Sequence, residues 1–284
     1  MSEQKRPVEV VVLSDVHLGT YGCHAKEVLQ YLRSIEPGTL ILNGDIIDIW
    51  QFKKRYWPQS HMQVIKHLMG LMTKGTPIYY VTGNHDEMLR KFTGFKLGSL
   101  RIVNKVMLQL DEQVAWVFHG DVFDVTMQHS KWLAKLGGAG YDMLIVLNRF
   151  VNWFSEKVLG RGKLSLSKKV KDSVKSAVKF INDFENTAAG IAIDKGYDYV
   201  VCGHIHQPTI RTISNENGSV EYLNSGDWVE NLTALEYNQG EWKIYSYLED
   251  QLARNVETLP AELPYRNNKE LFAELVAEFN MART

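Results

Sequence analysis

The chain has 284 residues, 45% hydrophobic and 11% aromatic, enough for one large core or two small ones. Its formal net charge of −1 gives no global field for nucleic acid, and two cysteines, Cys23 and Cys202, suggest a reducing compartment rather than a disulfide framework. Met1–Pro7 is polar and charged, the apolar run Val8–Leu13 is too short for a signal core, and no stretch reaches the roughly 18 apolar residues of a membrane helix, so a cytoplasmic chain is expected.

Val8–Leu13 reads as a fully buried strand, because β-branched residues dominate it without alternation. It delivers Asp15 and His17, which two residues apart in extended chain would point the same way. A loop from Gly19 to Gly22 leads to a helix over Ala25–Ile35, with Val28, Leu29, Leu32 and Ile35 on one face and Pro37-Gly38 as its breaker. A second strand begins at Thr39 and ends in Asn43-Gly44-Asp45, where a strand would stop and turn. Asp48 and Trp50 follow in a polar-aromatic loop. Ser60–Thr73 is an amphipathic helix stopped by Gly75 and Pro77, and Ile78–Val81 is a third strand that delivers Gly83-Asn84-His85-Asp86. Leu100–Val103, Lys105–Leu110 and Val114–Phe118 are shorter and more alternating, as in a sheet with one wetter face, and the last delivers His119. Tyr197–Cys202 is a further buried run that delivers His204 and His206. Val220–Leu223 leads into Asn224-Ser225-Gly226-Asp227-Trp228, and Leu232–Tyr237 with Glu241–Tyr247 forms a hairpin across Asn238-Gln239-Gly240.

The interval from Val122 to Lys195 changes character. Ser165–Lys195 carries Val170, Val174, Val178, Ile181, Phe184, Ala188 and Ile191, spaced three or four apart as in a long helix. Asp142–Leu159 is richer still in apolar residues. Inserted between two strands that end in Asp, Asn or His, these helices are expected to stand beside the site as a lid. Lys168, Lys171, Lys175 and Lys179 make the longer helix locally basic, which suits an anionic membrane surface. Beyond Glu249 the chain turns polar, with Pro260, Pro264 and a candidate helix over Lys269–Met281. The expected organisation is one domain over 1–250, with a helical insertion at about 122–195, and a C-terminal extension over 251–284.

Five stretches thus share one grammar, an apolar run ending in Asp, Asn or His, at strand carboxyl ends where open α/β sheets place their chemistry. Oxygen and imidazole donors without thiolate suit manganese, iron or zinc at a hydrolytic centre. Asp45, between two cations, could hold both.

Asp15-x-His17, Gly44-Asp45, Gly83-Asn84-His85-Asp86, His119 and Gly203-His204-Ile205-His206 resemble the complete motif series of the calcineurin-like metallophosphoesterases, in order and spacing, from Val8 to about Glu230. The resemblance implies an α/β fold, a four-layer αββα sandwich of two mixed sheets with helices outside. It implies two divalent cations, manganese first with iron or zinc as alternatives. One would take Asp15, His17 and His206, the other Asn84, His119 and His204, and Asp45 would bridge them. Such a pair, about 4 Å apart, would acidify a bridging water for in-line attack on phosphorus. His85 would stabilise the charged transition state or protonate the leaving oxygen, with Asp86 orienting its imidazole.

Within this superfamily, Leu13-Ser14-Asp15-Val16-His17-Leu18, Asp45-Ile46-Ile47-Asp48-Ile49-Trp50, His119-Gly120-Asp121 and the helical insertion resemble the UDP-2,3-diacylglucosamine diphosphatase branch of lipid A synthesis. Those enzymes cleave a pyrophosphate in a lipid-linked sugar nucleotide, releasing UMP, and their lid houses acyl chains. The resemblance implies a chain peripheral on the inner face of the cytoplasmic membrane, with Arg90, Lys91 and Lys168 as candidate substrate-binding cations. His85 stands where many members of that branch carry Arg. This keeps open a phosphodiesterase or Ser/Thr-type phosphatase with a soluble substrate. A metal-binding scaffold without catalysis would show a lost ligand or a lost His85, and neither is lost.

Overall fold

The computed structural model describes residues 5–50, 56–124 and 168–251, with side chains in the last stretch described from Lys179. The apolar stretch Asp142–Leu159, the side chains of Lys168, Lys171 and Lys175, and the extension from residue 252 lie outside the described residues.

Strand β1 (Arg6–Leu13) exposes Arg6, Pro7 and Glu9 at its start and is buried on both sides from Val10 to Leu13. Val8, Val11 and Leu13 pack with Val28, Leu29 and Leu32 of α1 (Ala25–Ser34), while Val10 and Val12 pack with Val117, Val201 and Leu223 of a second sheet. From Val10 onward neither face meets water, so that run needs no polar alternation. β2 (Ile35–Asn43), β3 (Ile78–Val81) and β5 (Leu100–Val103) continue parallel to β1, in the register Val12 to Ile41, Ile41 to Tyr79 and Tyr80 to Ile102. β4 (Lys96–Leu97) and the hairpin β11 (Thr233–Asn238)–β12 (Glu241–Ser246) complete a seven-stranded mixed sheet, ordered β12-β11-β1-β2-β3-β5-β4. α2 (Gln59–Thr73) covers its outer face beside α1 through Val64, Leu68 and Leu71.

The second sheet holds β6 (Val106–Leu110), β7 (Gln113–Val117), β8 (Tyr199–Cys202), β10 (Gly218–Asn224) and β9 (Thr209–Asn215), in that order. β7, β8 and β10 are parallel, with antiparallel strands at both edges. Helix α3 (Lys168–Asp194) lays Phe184, Ala188, Ala189 and Ala192 on Val200, Cys202, Val220 and Tyr222 of the far face. Burying the Phe184 ring there contributes roughly 2–3 kcal/mol. The order helix, sheet, sheet, helix is the expected four-layer sandwich.

Several local expectations change. α1 stops at Ser34 and Ile35 opens β2, so Pro37-Gly38 lies inside a strand instead of breaking a helix. Pro37 pairs with Val8, whereas β3 joins β2 only from Leu40. A residue with no N–H is tolerated where a strand has one neighbour. Ile191 points to solvent, and Ala189 and Ala192 turn inward in its place. From Phe184 onward, α3 is therefore the sandwich's fourth layer. β9 carries no apolar run that a sequence reading could find, because Thr209–Asn215 is a half-exposed edge.

Candidate metal centre

The parallel strands β1, β2 and β3 of one sheet and β7 and β8 of the other all release their ligand-bearing residues at their carboxyl ends. The loops then knit together. The N–H groups of Asp15 and His17 donate to the carbonyls of Gly44 (3.1 Å) and Asp45 (2.9 Å), and Gly203 N–H donates to the His119 carbonyl (2.9 Å). Asp15 and His17 are not in extended chain, as the sequence reading expects. Asp15, His17, Asp45, His204 and His206 all have φ between 52° and 67°. Five non-glycine residues in the left-handed region, at about 1–3 kcal/mol each, mark a site whose surroundings over-determine the backbone.

Two glycines permit the close approach. A Cβ on Gly44 (φ +81°) would meet His119 Nδ1 at 2.3 Å, and one on Gly83 would meet Asp45 Oδ1 at 2.2 Å. Only residues without side chains let these loops cross over the carboxylate and the imidazole.

Three clusters form, each with donor atoms within 4.8 Å of one another: Asp15, His17 and His206; Asp45, His119 and His204; and His17, Asp48 and His85. His206 Nε2 lies 3.0 Å from Asp15 Oδ1, and His119 Nε2 lies 3.3 Å from Asp45 Oδ2. His119 donates Nδ1–H to the Asn43 carbonyl at 2.8 Å, which leaves Nε2 as the free lone pair. Asp45 Oδ1 accepts from the His85 N–H at 2.8 Å, and Asp15 Oδ2 accepts from the His204 N–H at 3.0 Å. Backbone donors thus hold both carboxylates in place.

The donor set fits divalent cations. His17 Nε2, Asn84 Oδ1 and His119 Nε2 are buried without a hydrogen-bond partner. Each such group costs about 1–3 kcal/mol if left unmet. His17 and His119 stand among the carboxylates of Asp15 and Asp45, and such donors, with no thiolate, are what hard to borderline metals take.

The electrostatics follow from the same proximity. Burial pushes the Asp15 carboxyl up, but the His206 charge and hydrogen bond outweigh it and bring it down to about 2. Asp45 is likewise pushed up by burial and drawn well below the carboxylate range by His119, with help from His17 and His85. Burial lowers the His206 imidazole, yet Asp15 raises it to about 9. His119 rises too, through Asp45, against its burial.

Asp86 is not the carboxylate beside His85. It is fully buried, and its oxygens accept from Tyr80 OH (2.6 Å), Gly83 N–H (2.6 Å) and Ile46 N–H (3.0 Å). It ties the β3 loop to the β2 loop. The group beside His85 is Asp48, whose Oδ2 lies 2.8 Å from His85 Nδ1 and 3.3 Å from His17 Nδ1. The His85 contact has ion-pair distance without hydrogen-bond alignment. Burial lowers the His85 imidazole, but Asp48 and Asp45 raise it further. The sequence reading leaves Asp48 without a role, although its place three residues after Asp45 is a usable signal. It also misses Asp124, whose Oδ2 sits 3.0 Å from His204 Nε2.

Of the candidate substrate cations, Arg90 is ion-paired with Asp121, two residues after His119. Lys91 is exposed, and Lys168 opens α3 with its side chain outside the description.

Among curated relatives, UDP-2,3-diacylglucosamine hydrolase of Aliivibrio fischeri is 21% identical over 84% of this chain and 96% of its own length. The enzyme of the same name from Vibrio cholerae strain N16961 is 24% identical over 82% and 96%. The DNA double-strand break repair protein Mre11 of Methanococcus maripaludis is 26% identical over 71% of this chain and 49% of its own. Among solved structures, Yfce, a phosphoesterase from E. coli, aligns over 90% of this chain and 99% of its own at 13% identity, with a TM-score of 0.43. The family model for calcineurin-like phosphoesterases matches residues 8–208, most of the chain. With that match over the strands and loops just described, this protein belongs to the calcineurin-like phosphoesterase family and is a metal-dependent phosphoester hydrolase.

Proposed function

We propose that the protein is a dinuclear hydrolase of a lipid-linked nucleotide pyrophosphate of the UDP-2,3-diacylglucosamine kind, releasing UMP and a diacylglucosamine 1-phosphate for lipid A synthesis. The observation that carries the reaction is the clustering of His17 and His206 with Asp15 and of His119 and His204 with Asp45, where His17 Nε2 and His119 Nε2 are buried and unpartnered. Asp15, His17 and His206 would hold one cation, Asn84, His119 and His204 the other, and Asp45 both. Manganese is the first choice for this donor set, with iron and zinc as alternatives. When bound, such ions supply Lewis-acid activation of water and stabilise phosphoryl charge.

His85 meets the substrate from the rim. Its side chain is partly exposed, its N–H is anchored on Asp45, and Asp48 holds its ring. A positioned imidazole can donate a proton to the leaving oxygen or bind a phosphoryl oxygen. Trp50 is 65% exposed with its ring 6.0 Å from that of His85, an open flat surface for a base or sugar. The relatives' names support the lipid-linked substrate. The lysines at 168, 171, 175 and 179 support an anionic membrane surface, and among the described residues no helix is long and apolar enough to cross a membrane.

His85 in place of the Arg of many diacylglucosamine diphosphatases favours a second reading, a phosphodiesterase with a soluble substrate. Purified, manganese-loaded protein assayed against UDP-2,3-diacylglucosamine, bis-p-nitrophenyl phosphate and a phosphopeptide separates the two. UMP release from the lipid-linked substrate, at a kcat/KM well above that for the other two, is expected. Turnover of bis-p-nitrophenyl phosphate with no UMP release would replace the first reading by the second.

A further inference from the structure

The carboxyl ends of β1, β2 and β3 carry the metal-centre residues, and their amino ends carry a different feature. A cavity of about 450 Å³ opens there, lined by Lys5, Arg33, Gln63, Lys66, His67 and Lys74 among others. Lys5 immediately precedes β1, Arg33 is in the last turn of α1 just before β2, and Lys74 caps α2 ahead of β3. The cavity therefore sits at the opposite end of the sheet from Asp15, Asp45 and Asn84.

Among the described residues, four cations line it and no carboxylate does. Among the described residues, none of the four makes an ion pair, although Arg6, Arg90, Arg211 and Lys243 all do. His67 reports the resulting field. Burial first, then the charge of Lys5, with Arg33 and Lys74 behind it, holds its imidazole below the ordinary range. The cations face a common space that no described acid lines.

Helix-end chemistry explains part of this. Arg33 and Lys74 each sit at a helix C-terminus, where a cation complements the macrodipole. That accounts for neither Lys5 nor Lys66, nor for the concavity. Two helix ends at about half a negative charge each are outnumbered by four full positive charges.

We propose that this cavity is a second ligand site, separate from the metal centre, that binds the phosphates of a small di- or triphosphate-bearing molecule. A lone phosphate, at a charge of about −2, would leave half of the four cations unmatched. Two or three linked phosphates match them. The volume lies within the range of about 300–1,000 Å³ typical of small-molecule sites, more than one phosphate fills.

The test uses the manganese-loaded full chain and methylenediphosphonate, a diphosphate mimic that resists hydrolysis. Equilibrium dialysis, with manganese in excess over the ligand, compares the wild type with Lys66→Gln/Lys74→Gln. Both lysines are exposed, so bis-p-nitrophenyl phosphate hydrolysis should be unchanged, and Tm should fall only by the small amount that loss of the Lys74 cation at the α2 C-terminus costs. The wild type is expected to take up one equivalent more than the variant, or to bind it at least about tenfold more tightly, with the difference shrinking as salt rises. Lys5→Gln/Arg33→Gln, from the facing side, should repeat the loss. Equal uptake by wild type and both variants would overturn the proposal. Retention on phosphatidylglycerol vesicles that the variants lose, with diphosphonate uptake unaltered, would also overturn it and assign the cations to a membrane surface.

Discussion

Adding one methyl group at Gly83 should disable the centre without removing any donor. A Cβ there would lie 2.2 Å from Asp45 Oδ1, 2.8 Å from the Asp45 backbone nitrogen and 2.8 Å from His119 Cδ2. The φ of Gly83 is not in the left-handed region, so the clash alone decides the outcome. Ordinary heavy-atom contact begins at about 3.5 Å, so the carboxylate must retreat by more than about 1 Å. The backbone nitrogen cannot swing away, and the retreat also breaks the 2.8 Å bond from the His85 N–H. A misplacement of about 1 Å costs about 10²-fold in rate, and overpacking costs about 1–3 kcal/mol of stability. The assay is bis-p-nitrophenyl phosphate turnover at saturating manganese, with metal content by plasma mass spectrometry and Tm on the same samples. Gly190→Ala is the control: a methyl there meets nothing within 4 Å, and in α3 it should raise stability by up to about 1 kcal/mol with turnover unchanged. Full turnover with two metal equivalents in Gly83→Ala would show that Asp45 is not held against Gly83.

Asp45→Ala should lose metal and activity together and cost more than His17→Ala, which on the proposed assignment would affect one cation; two full metal equivalents in Asp45→Ala would refute the bridging role. His85→Ala should keep near-normal metal content while turnover falls by about 10²–10⁴, whereas collapse of metal content would make His85 a ligand. Asp86→Ala removes the acceptor shared by Tyr80 OH, Gly83 N–H and Ile46 N–H, and should cost about 3 kcal/mol or more in denaturant unfolding. A loss below about 1 kcal/mol would rule out that loop-holding role. In the metal-free protein, burial lowers the His206 imidazole but Asp15 raises it to about 9, above its unfolded value of about 6.5. Its stabilising proton is fully present below about pH 6.5 and lost as pH rises through about 9, so Tm without metal should fall across that window. The ligation proposed for His206 needs the nitrogen bare, so manganese added at pH 7 in weak buffer should release protons, and a pH-stat that registers none would contradict it.

The candidate ligands are legible in the sequence because each rests on a local pattern. An apolar run ending in Asp, Asn or His is one-dimensional, and the absence of alternation in Val10–Leu13 already says that two layers cover it. Gly83 and Gly44 are equally visible as letters, but their closeness to Asp45 and His119 is not. Asp86 follows His85 in the chain, and adjacency suggests a partnership. Neighbouring side chains diverge, however, and the fold turns Asp86 to Tyr80 and the loop N–H groups while bringing Asp48 to His85 from another strand end. The left-handed backbone of Asp15, His17, Asp45, His204 and His206 has no sequence signature, since none of them is glycine. Arg90 reads as a free cation until the β7 loop brings Asp121 against it. The basic cavity joins residues 5, 33, 66, 67 and 74, which meet only when α1 and α2 pack on the sheet. Hydrophobic period and strand-end chemistry are properties of neighbouring residues, so sequence alone determines them. Charge pairing, left-handed turns and concavity depend on which distant segments touch, and only the tertiary structure decides that.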